Sequence, residues 1–210
     1  MIGSLLGRGT GVTFGERMRG WFAFGEYECG AGAARGRRER TRLNLHACVE
    51  FADVTGLLRK PDSAGALFGV VAFDATACVQ RGSGKVQLFV PASDPHYALM
   101  IYEVAVQYNG GDHYLAGKKL IRRRRPLAVW TDTSTLFVQL HRGAGTGGPV
   151  VGAGIIHLSP LGLLRLLASL EAIERGTARP NRDACLTFLA FFLKQLIGIC
   201  FGRERSGGRV

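Results

Sequence analysis

A tyrosine and a lysine four positions apart are the first residues of this chain whose spacing suggests catalysis. Tyr114 and Lys118 match the Y-x-x-x-K pattern, in which a lysine one helical turn away lowers the pKa of a proton-transferring tyrosine. The run Asn109-Gly110-Gly111 just before them is a signal for a tight turn between two strands. On a strand, residues four apart are separated by about 13 Å. The pattern therefore does not predict a catalytic pair.

A glycine-rich run and the metal-ligating residue types suggest further sites that their surroundings do not support. Residues 143–148 satisfy G-x-G-x-x-G, which in a dinucleotide site leads into a helix whose N-terminus holds the pyrophosphate. Here Pro149 and a strand pattern follow, which indicates a hairpin loop. The five histidines form no H-x-x-x-H pair and the five cysteines form no C-x-x-C pair. The sequence therefore predicts neither a bound cofactor nor a metal site.

The elements that must position any site are mainly strands. Apolar and polar residues alternate over Thr41–Phe51 and Met100–Tyr108, as they do in half-buried strands. Further short strands are separated by turn residues, and a helical turn is expected at Asp53–Arg59. These strands are expected at Leu67–Phe73, Val86–Val90, His113–Ile121, Thr133–Leu140 and Val150–Leu158, with Gly82-Ser83-Gly84 as a turn. We therefore expect a mainly β fold, an antiparallel β-barrel or sandwich, followed by two C-terminal α-helices.

Residues 12–202 are expected to form a single domain, between a flexible N-terminus (1–11) and a flexible basic tail (203–210). Ser159 and Pro160 are suited to begin a helix that ends at Gly176, and a second helix is expected to end near Gly202. In that second helix Ala184–Phe201 is almost continuously apolar, with Lys194 in its middle. Packing on the sheet is the preferred interpretation. Contact of residues 184–201 with a membrane surface and a C-terminal membrane anchor are the alternatives.

The formal net charge of +11 is concentrated in arginine clusters at 35–42, at 122–125 and in the tail. This charge favours an anionic partner, such as a phospholipid surface, an acidic protein or nucleic acid. Neither internal cluster contains an aromatic residue, so the sequence argues against nucleic acid. No secretory signal pattern is present at the N-terminus. We expect a cytoplasmic protein, with the surface of the inner membrane as the alternative location.

Several short motifs lie in a fixed order along residues 12–201. They are Phe14-x-Glu16-x-Met18-x-Gly20, Gly69-Val70, Leu88-Phe89, Met100-Ile101-Tyr102, Tyr114-Leu115-x-Gly117-x-Lys119, the run 130–137 and Gly154-Ile155. In this order they resemble a segment of cholesterol-oxidase-like proteins of the glucose–methanol–choline (GMC) oxidoreductase class, which also carry an α/β-hydrolase region. The resemblance implies an accessory segment that lies outside the flavin-binding and hydrolase regions. It therefore implies no flavin, no oxidase residues and no catalytic triad.

The sequence as a whole predicts a stand-alone accessory module without a catalytic motif of its own. We expect it to bind an apolar ligand, such as a sterol or an acyl chain, or to dock on a partner oxidoreductase, since small barrels can enclose one ligand. The candidate pocket residues are Tyr102, Tyr114, Lys119 and Trp130. An oxidoreductase-related enzyme that uses Tyr102, Glu103, Tyr114 and Lys119 is one alternative. A basic module that binds a membrane surface is the other.

Overall fold

Eight antiparallel strands close into a β-barrel, with helices on its outside and across one end. The computed structural model describes residues 10–74, 78–173 and 182–201. The strands are β1 (Gly11–Phe24), β2 (Arg42–Phe51), β3 (Ala64–Phe73), β4 (Cys78–Pro91), β5 (Tyr97–Tyr108), β6 (Gly111–Arg122), β7 (Thr135–Arg142), β8 (Val150–Leu158) and β9 (Glu171–Ile173). The helices are α1 (Cys29–Glu39), α2 (Val54–Arg59), α3 (Val129–Ser134), α4 (Pro160–Ala168) and α5 (Arg182–Phe201). A 3₁₀ turn, Pro126–Ala128, precedes α3.

The barrel closes because β1 is long enough to pair on both of its edges. Strands β2 to β8 follow one another in sequence order around the barrel, and β1 joins β8 to β2. The second half of β1, Met18–Phe24, pairs with β8, whereas its first residues, Gly11–Thr13, pair with β9. The predicted antiparallel barrel is confirmed.

Local chemistry explains why the strands and turns form where they do. In β2 every second residue from Leu43 to Phe51 is buried, as the alternation predicted. Asn109 and Gly110 both have positive φ angles, 48° and 75°, which the tight turn between β5 and β6 requires. In this hairpin β5 and β6 pair along their full length.

Two expectations about the elements are wrong, and two elements were missed. Gly82-Ser83-Gly84 is no turn but part of β4, where a Cβ on Gly84 would lie 1.8 Å from the carbonyl oxygen of Glu103. The helix that begins at Pro160 ends at Ala168, because Glu171–Ile173 leaves it to pair with β1. Strand β1 and helix α1 were not predicted. The predicted flexible N-terminus (1–11) is wrong at Gly11, which is buried and begins β1. Residues 1–9, the predicted tail 203–210 and the helix end at Gly202 lie outside the described residues.

Helix α1 packs closely on the outer wall of the barrel through two glycines. A Cβ on Gly32 would lie 2.1 Å from the carbonyl oxygen of Ala153, and one on Gly36 would lie 2.5 Å from that of Phe22. Any larger residue at these positions would push the helix away from β1 and β8.

Aromatic clusters fill both ends of the barrel. At the end where β1 begins, Phe188 of α5 packs against Phe14 and Phe51, with ring centroids 5.7 and 5.8 Å apart. At the opposite end, Phe24 stacks on Tyr108 at 5.0 Å, within a cluster that includes Phe22 and Phe73. Most of the remaining interior is packed with apolar side chains, as expected for an eight-stranded barrel.

Candidate functional site

The centre of the barrel contains a buried polar cluster contributed by three strands. Glu16 lies on β1, Tyr102 on β5 and Lys119 on β6. The Tyr102 hydroxyl donates to Glu16 Oε2 at 2.9 Å, and Lys119 Nζ donates to Glu16 Oε1 at 2.5 Å. The same ammonium lies 4.8 Å from the centroid of the Tyr102 ring. Two of the predicted pocket residues, Tyr102 and Lys119, are thus brought together, with a carboxylate as their shared partner.

This cluster is self-contained. Each of its three side chains is less than 5% exposed, and the carboxylate accepts a hydrogen bond from each partner. Burial, followed by the negative charge of Glu16, raises the pKa of Tyr102 well above its ordinary value. The hydroxyl therefore stays protonated and keeps donating to Glu16. The buried pair of Glu16 and Lys119 joins opposite walls of the barrel. A substrate could reach this pair only if the wall opened.

The other predicted polar residues lie on the outside of the same wall. Because neighbouring residues of a strand point to opposite faces, Glu103 faces outward beside the inward Tyr102. Its Oε2 lies 2.9 Å from Nζ of Lys85. Partial burial and, secondarily, Glu103 raise the pKa of Tyr114. The set Tyr102, Glu103, Tyr114 and Lys119 is therefore divided between two faces and forms no single site.

Trp130, the fourth predicted pocket residue, lies in the segment between β6 and β7, away from the central cluster. Asp132 fixes this segment: the backbone N–H of Arg122 donates to Asp132 Oδ2 at 2.8 Å, and the Arg122 guanidinium reaches Oδ1 at 2.6 Å. Hydrogen bonding to Asp132 also raises the pKa of Arg122. The fixed segment presents apolar residues to solvent, since Leu127 is 100% exposed and Trp130 40% exposed.

Helix α5 has two apolar faces, only one of which is covered. The covered face packs on the end of the barrel through Ala184, Phe188, Phe191 and Ile199. Along the opposite face Leu186, Leu193, Ile197 and Phe201 follow at helical spacing and are 56–66% exposed. The sequence showed Lys194 in the middle of this apolar helix but did not predict that four large apolar residues would be exposed.

The C-terminal end of α5 lies beside the segment that carries Trp130. The backbone N–H of Arg124 donates to the carbonyl oxygen of Ile199 at 3.2 Å, so the last turns of α5 lie beside residues 122–128. The side chains of Arg123, Arg125 and Lys194 on these two elements are exposed. We call this surface the α5 face. It consists of Leu127, Trp130, Leu186, Leu193, Ile197 and Phe201, with the cations Arg123, Arg125 and Lys194.

Among the described residues, one helix, Asp183–Phe201, has the length and apolar composition needed to cross a membrane, and 28% of its most apolar stretch is buried inside the protein. The described part of the chain contains no group of three or more His, Cys, Asp or Glu side chains that could hold a metal ion.

Comparison with known proteins gives no relative: no protein-family model, curated protein or solved structure matches the chain. The resemblance to the GMC-associated segment therefore stays a prediction.

Proposed function

We propose that this protein binds the surface of anionic membranes through the α5 face. The observation that carries the proposal is the group of exposed apolar residues on α5 and on the segment beside its C-terminal end, including a tryptophan and a fully exposed leucine, together with exposed arginines. Surface helices that lie in the headgroup region combine apolar side chains with Lys or Arg in this way. Tryptophan is enriched at the same depth because its ring is both apolar and polar.

The expected energies are sufficient for reversible binding. Burying a large apolar side chain contributes about 1.5–3 kcal/mol. Apart from the fully exposed Leu127, the apolar members of the α5 face are already partly covered, so each of them would contribute a fraction of that. Each Lys or Arg near an anionic surface adds about 1 kcal/mol. Together these contributions favour association with a charged bilayer and make it sensitive to salt.

Helix α5 is expected to lie in the plane of the membrane surface rather than to cross the bilayer. Phe188 and Phe191 of its covered face form part of the barrel core. Crossing would withdraw both rings from Phe14, Phe51 and Phe89 and expose that end of the barrel. The predicted sterol or acyl ligand inside the barrel has less support, because the barrel's own side chains occupy the interior.

Tryptophan fluorescence tests the proposal directly because the chain has two tryptophans. Trp130 lies on the α5 face, whereas Trp21 lies on β1 beneath the guanidinium of Arg42. In a Trp21→Phe variant, vesicles containing phosphatidylglycerol should shift the Trp130 emission to the blue, and brominated lipids should quench it. The matched Trp130→Phe variant, which reports on Trp21 alone, should show neither effect. Phosphatidylcholine vesicles should give a much weaker response in both variants.

Charge reversal separates the α5 face from the net charge of the protein. The double variant Arg123→Glu/Arg125→Glu should lose sedimentation with anionic vesicles. The control variant Arg37→Glu/Arg38→Glu makes the same change of charge on α1, where both side chains are exposed. It should still sediment with anionic vesicles nearly as the wild type does. Equal loss in the two variants, or Leu193→Glu binding like the wild type, would refute the proposal. A concentration-dependent dimer that Leu193→Glu abolishes would instead assign the surface to a second copy of the chain.

A further inference from the structure

The outer wall of the barrel carries a groove separate from the α5 face. Arg17, His46, Val70 and Arg81 are direct neighbours in register across β1, β2, β3 and β4, so their side chains form one row perpendicular to the strands. Adjacent strands are about 4.8 Å apart, which places the two arginines of the row about 14 Å apart. The row therefore has a cation at each end and smaller groups between them.

The next row of the same wall forms the floor of the groove. It contains Gly15, Cys48, Phe68 and Ser83 in register, and the Phe68 ring is 51% exposed. Helix α4 forms one side, since the backbone N–H of Gly15 donates to Ser169 Oγ at 2.8 Å. Arg165 of the same helix also lines the groove, whose volume is about 840 Å³. The groove is thus large enough for a small organic ligand.

The groove is strongly cationic. Glu16 is the acidic residue among those that line it, but its carboxylate points into the barrel, where Lys119 and Tyr102 bind it. In the described part of the chain, Arg17, Arg81 and Arg165 form no ion pair. Three uncompensated guanidinium groups thus surround one exposed aromatic ring.

We propose that this groove binds nucleotide units, with a base stacked on Phe68 and phosphates held by Arg17, Arg81 and Arg165. Guanidinium groups match phosphate geometry, and a base stacked on an aromatic side chain is the common device of single-strand binding. The separation of Arg17 and Arg81 suits more than one phosphate. A free nucleotide and a single-stranded oligonucleotide share this chemistry. The proposal concerns a different surface from the proposed membrane function and does not depend on it.

Fluorescence anisotropy with a short labelled oligothymidylate provides the test. Because a base stacks on an aromatic ring but not on an aliphatic side chain, Phe68→Leu, which keeps an apolar side chain but removes the ring, should weaken binding about tenfold. With three phosphates neutralised, the logarithm of the binding constant should fall with the logarithm of salt concentration at a slope of about −2. Arg81→Gln should make that slope less steep by about 0.7.

Two controls keep the result specific. Arg37→Gln on α1 removes one exposed charge outside the groove, and Leu193→Glu alters the α5 face. Both should bind the oligonucleotide nearly as the wild type does. If adenosine triphosphate, measured by calorimetry, binds as tightly as the oligonucleotide and shows the same Phe68→Leu loss, a free nucleotide is the ligand. Binding of neither probe, an unchanged affinity in Phe68→Leu, or equal losses in Arg37→Gln and Arg81→Gln would overturn the proposal.

Discussion

Replacing Lys119 by methionine keeps an unbranched side chain of similar length and removes the positive charge from the centre of the barrel. Glu16 would then remain as a buried carboxylate with only the Tyr102 hydroxyl as a donor. Breaking a buried ion pair by removing one partner costs about 3–5 kcal/mol, because the other charge stays without compensation. Single domains are stable by about 5–15 kcal/mol, so this variant should lose a large part of its stability.

The size of the effect can be read from unfolding. For a chain of this length, 1 kcal/mol corresponds to about 2–4 °C in Tm, so Lys119→Met should lower Tm by on the order of 6–20 °C. Adding Glu16→Gln removes the unpaired charge and leaves an amide oxygen that can accept from Tyr102. The double variant should therefore recover roughly half of the lost stability or more. Urea unfolding followed by circular dichroism gives both free energies.

The same replacement at an exposed pair is the matched control. Lys85 pairs with Glu103 at 2.9 Å, but its side chain is 53% exposed, and exposed ion pairs contribute about 0–1 kcal/mol. Lys85→Met should therefore change the free energy of unfolding by at most about 1 kcal/mol. If Lys119→Met and Lys85→Met were equally stable, the central cluster would not hold the barrel together as inferred.

Three further predictions concern single elements of the fold. The pKa of Tyr102 is raised in the folded state, so folding favours its neutral form. The free energy of unfolding should therefore fall as pH rises above about 10. In an ultraviolet titration, Tyr102→Phe should lack one ionisation step that accompanies unfolding. Gly145→Ala, which meets open space, should leave Tm unchanged, whereas Gly32→Ala, whose Cβ would lie 2.1 Å from the carbonyl oxygen of Ala153, should lower it by several degrees. Deleting residues 182–210 should make the remainder aggregate in light scattering, and a monomeric, folded truncation would contradict the packing of α5.

The parts of the fold that could be predicted are those with a clean local pattern. Strand β2 alternates strictly, and the Asn109-Gly110 turn is specified by its own residues. Strand β1 was missed because Gly20 and the inward-facing Glu16 interrupt its apolar face. A charge at an inward position needs a buried partner, but that partner lies more than 100 positions away in sequence. Such a pairing cannot be predicted from the sequence unless the register of the intervening strands is known.

The candidate surfaces were hidden for a similar reason. The Arg122–Arg125 cluster and the apolar helix were both noticed in the sequence, but nothing local showed that Arg124 meets Ile199. The groove was not anticipated, because Arg17, Phe68, Arg81 and Arg165 come from four different elements. Conversely, the structure does not bring Tyr114 and Tyr102 into one pocket, because the two side chains lie on opposite faces of the barrel wall.

The ion pair across the barrel also has a consequence for how the chain folds. Strands β1 and β6 are not neighbours; β7 and β8 lie between them on one side. A slip of one residue in either strand would turn Glu16 or Lys119 outward and leave the other charge alone in an apolar interior. We hypothesise that the pair selects the correct register during closure. The double variant Glu16→Leu/Lys119→Leu would then fold with comparable stability but with heterogeneous NMR signals, and a single sharp set of signals would refute this role. The two buried charges would then lower the stability of the barrel. In return, only one register of the closed strands would leave both charges paired.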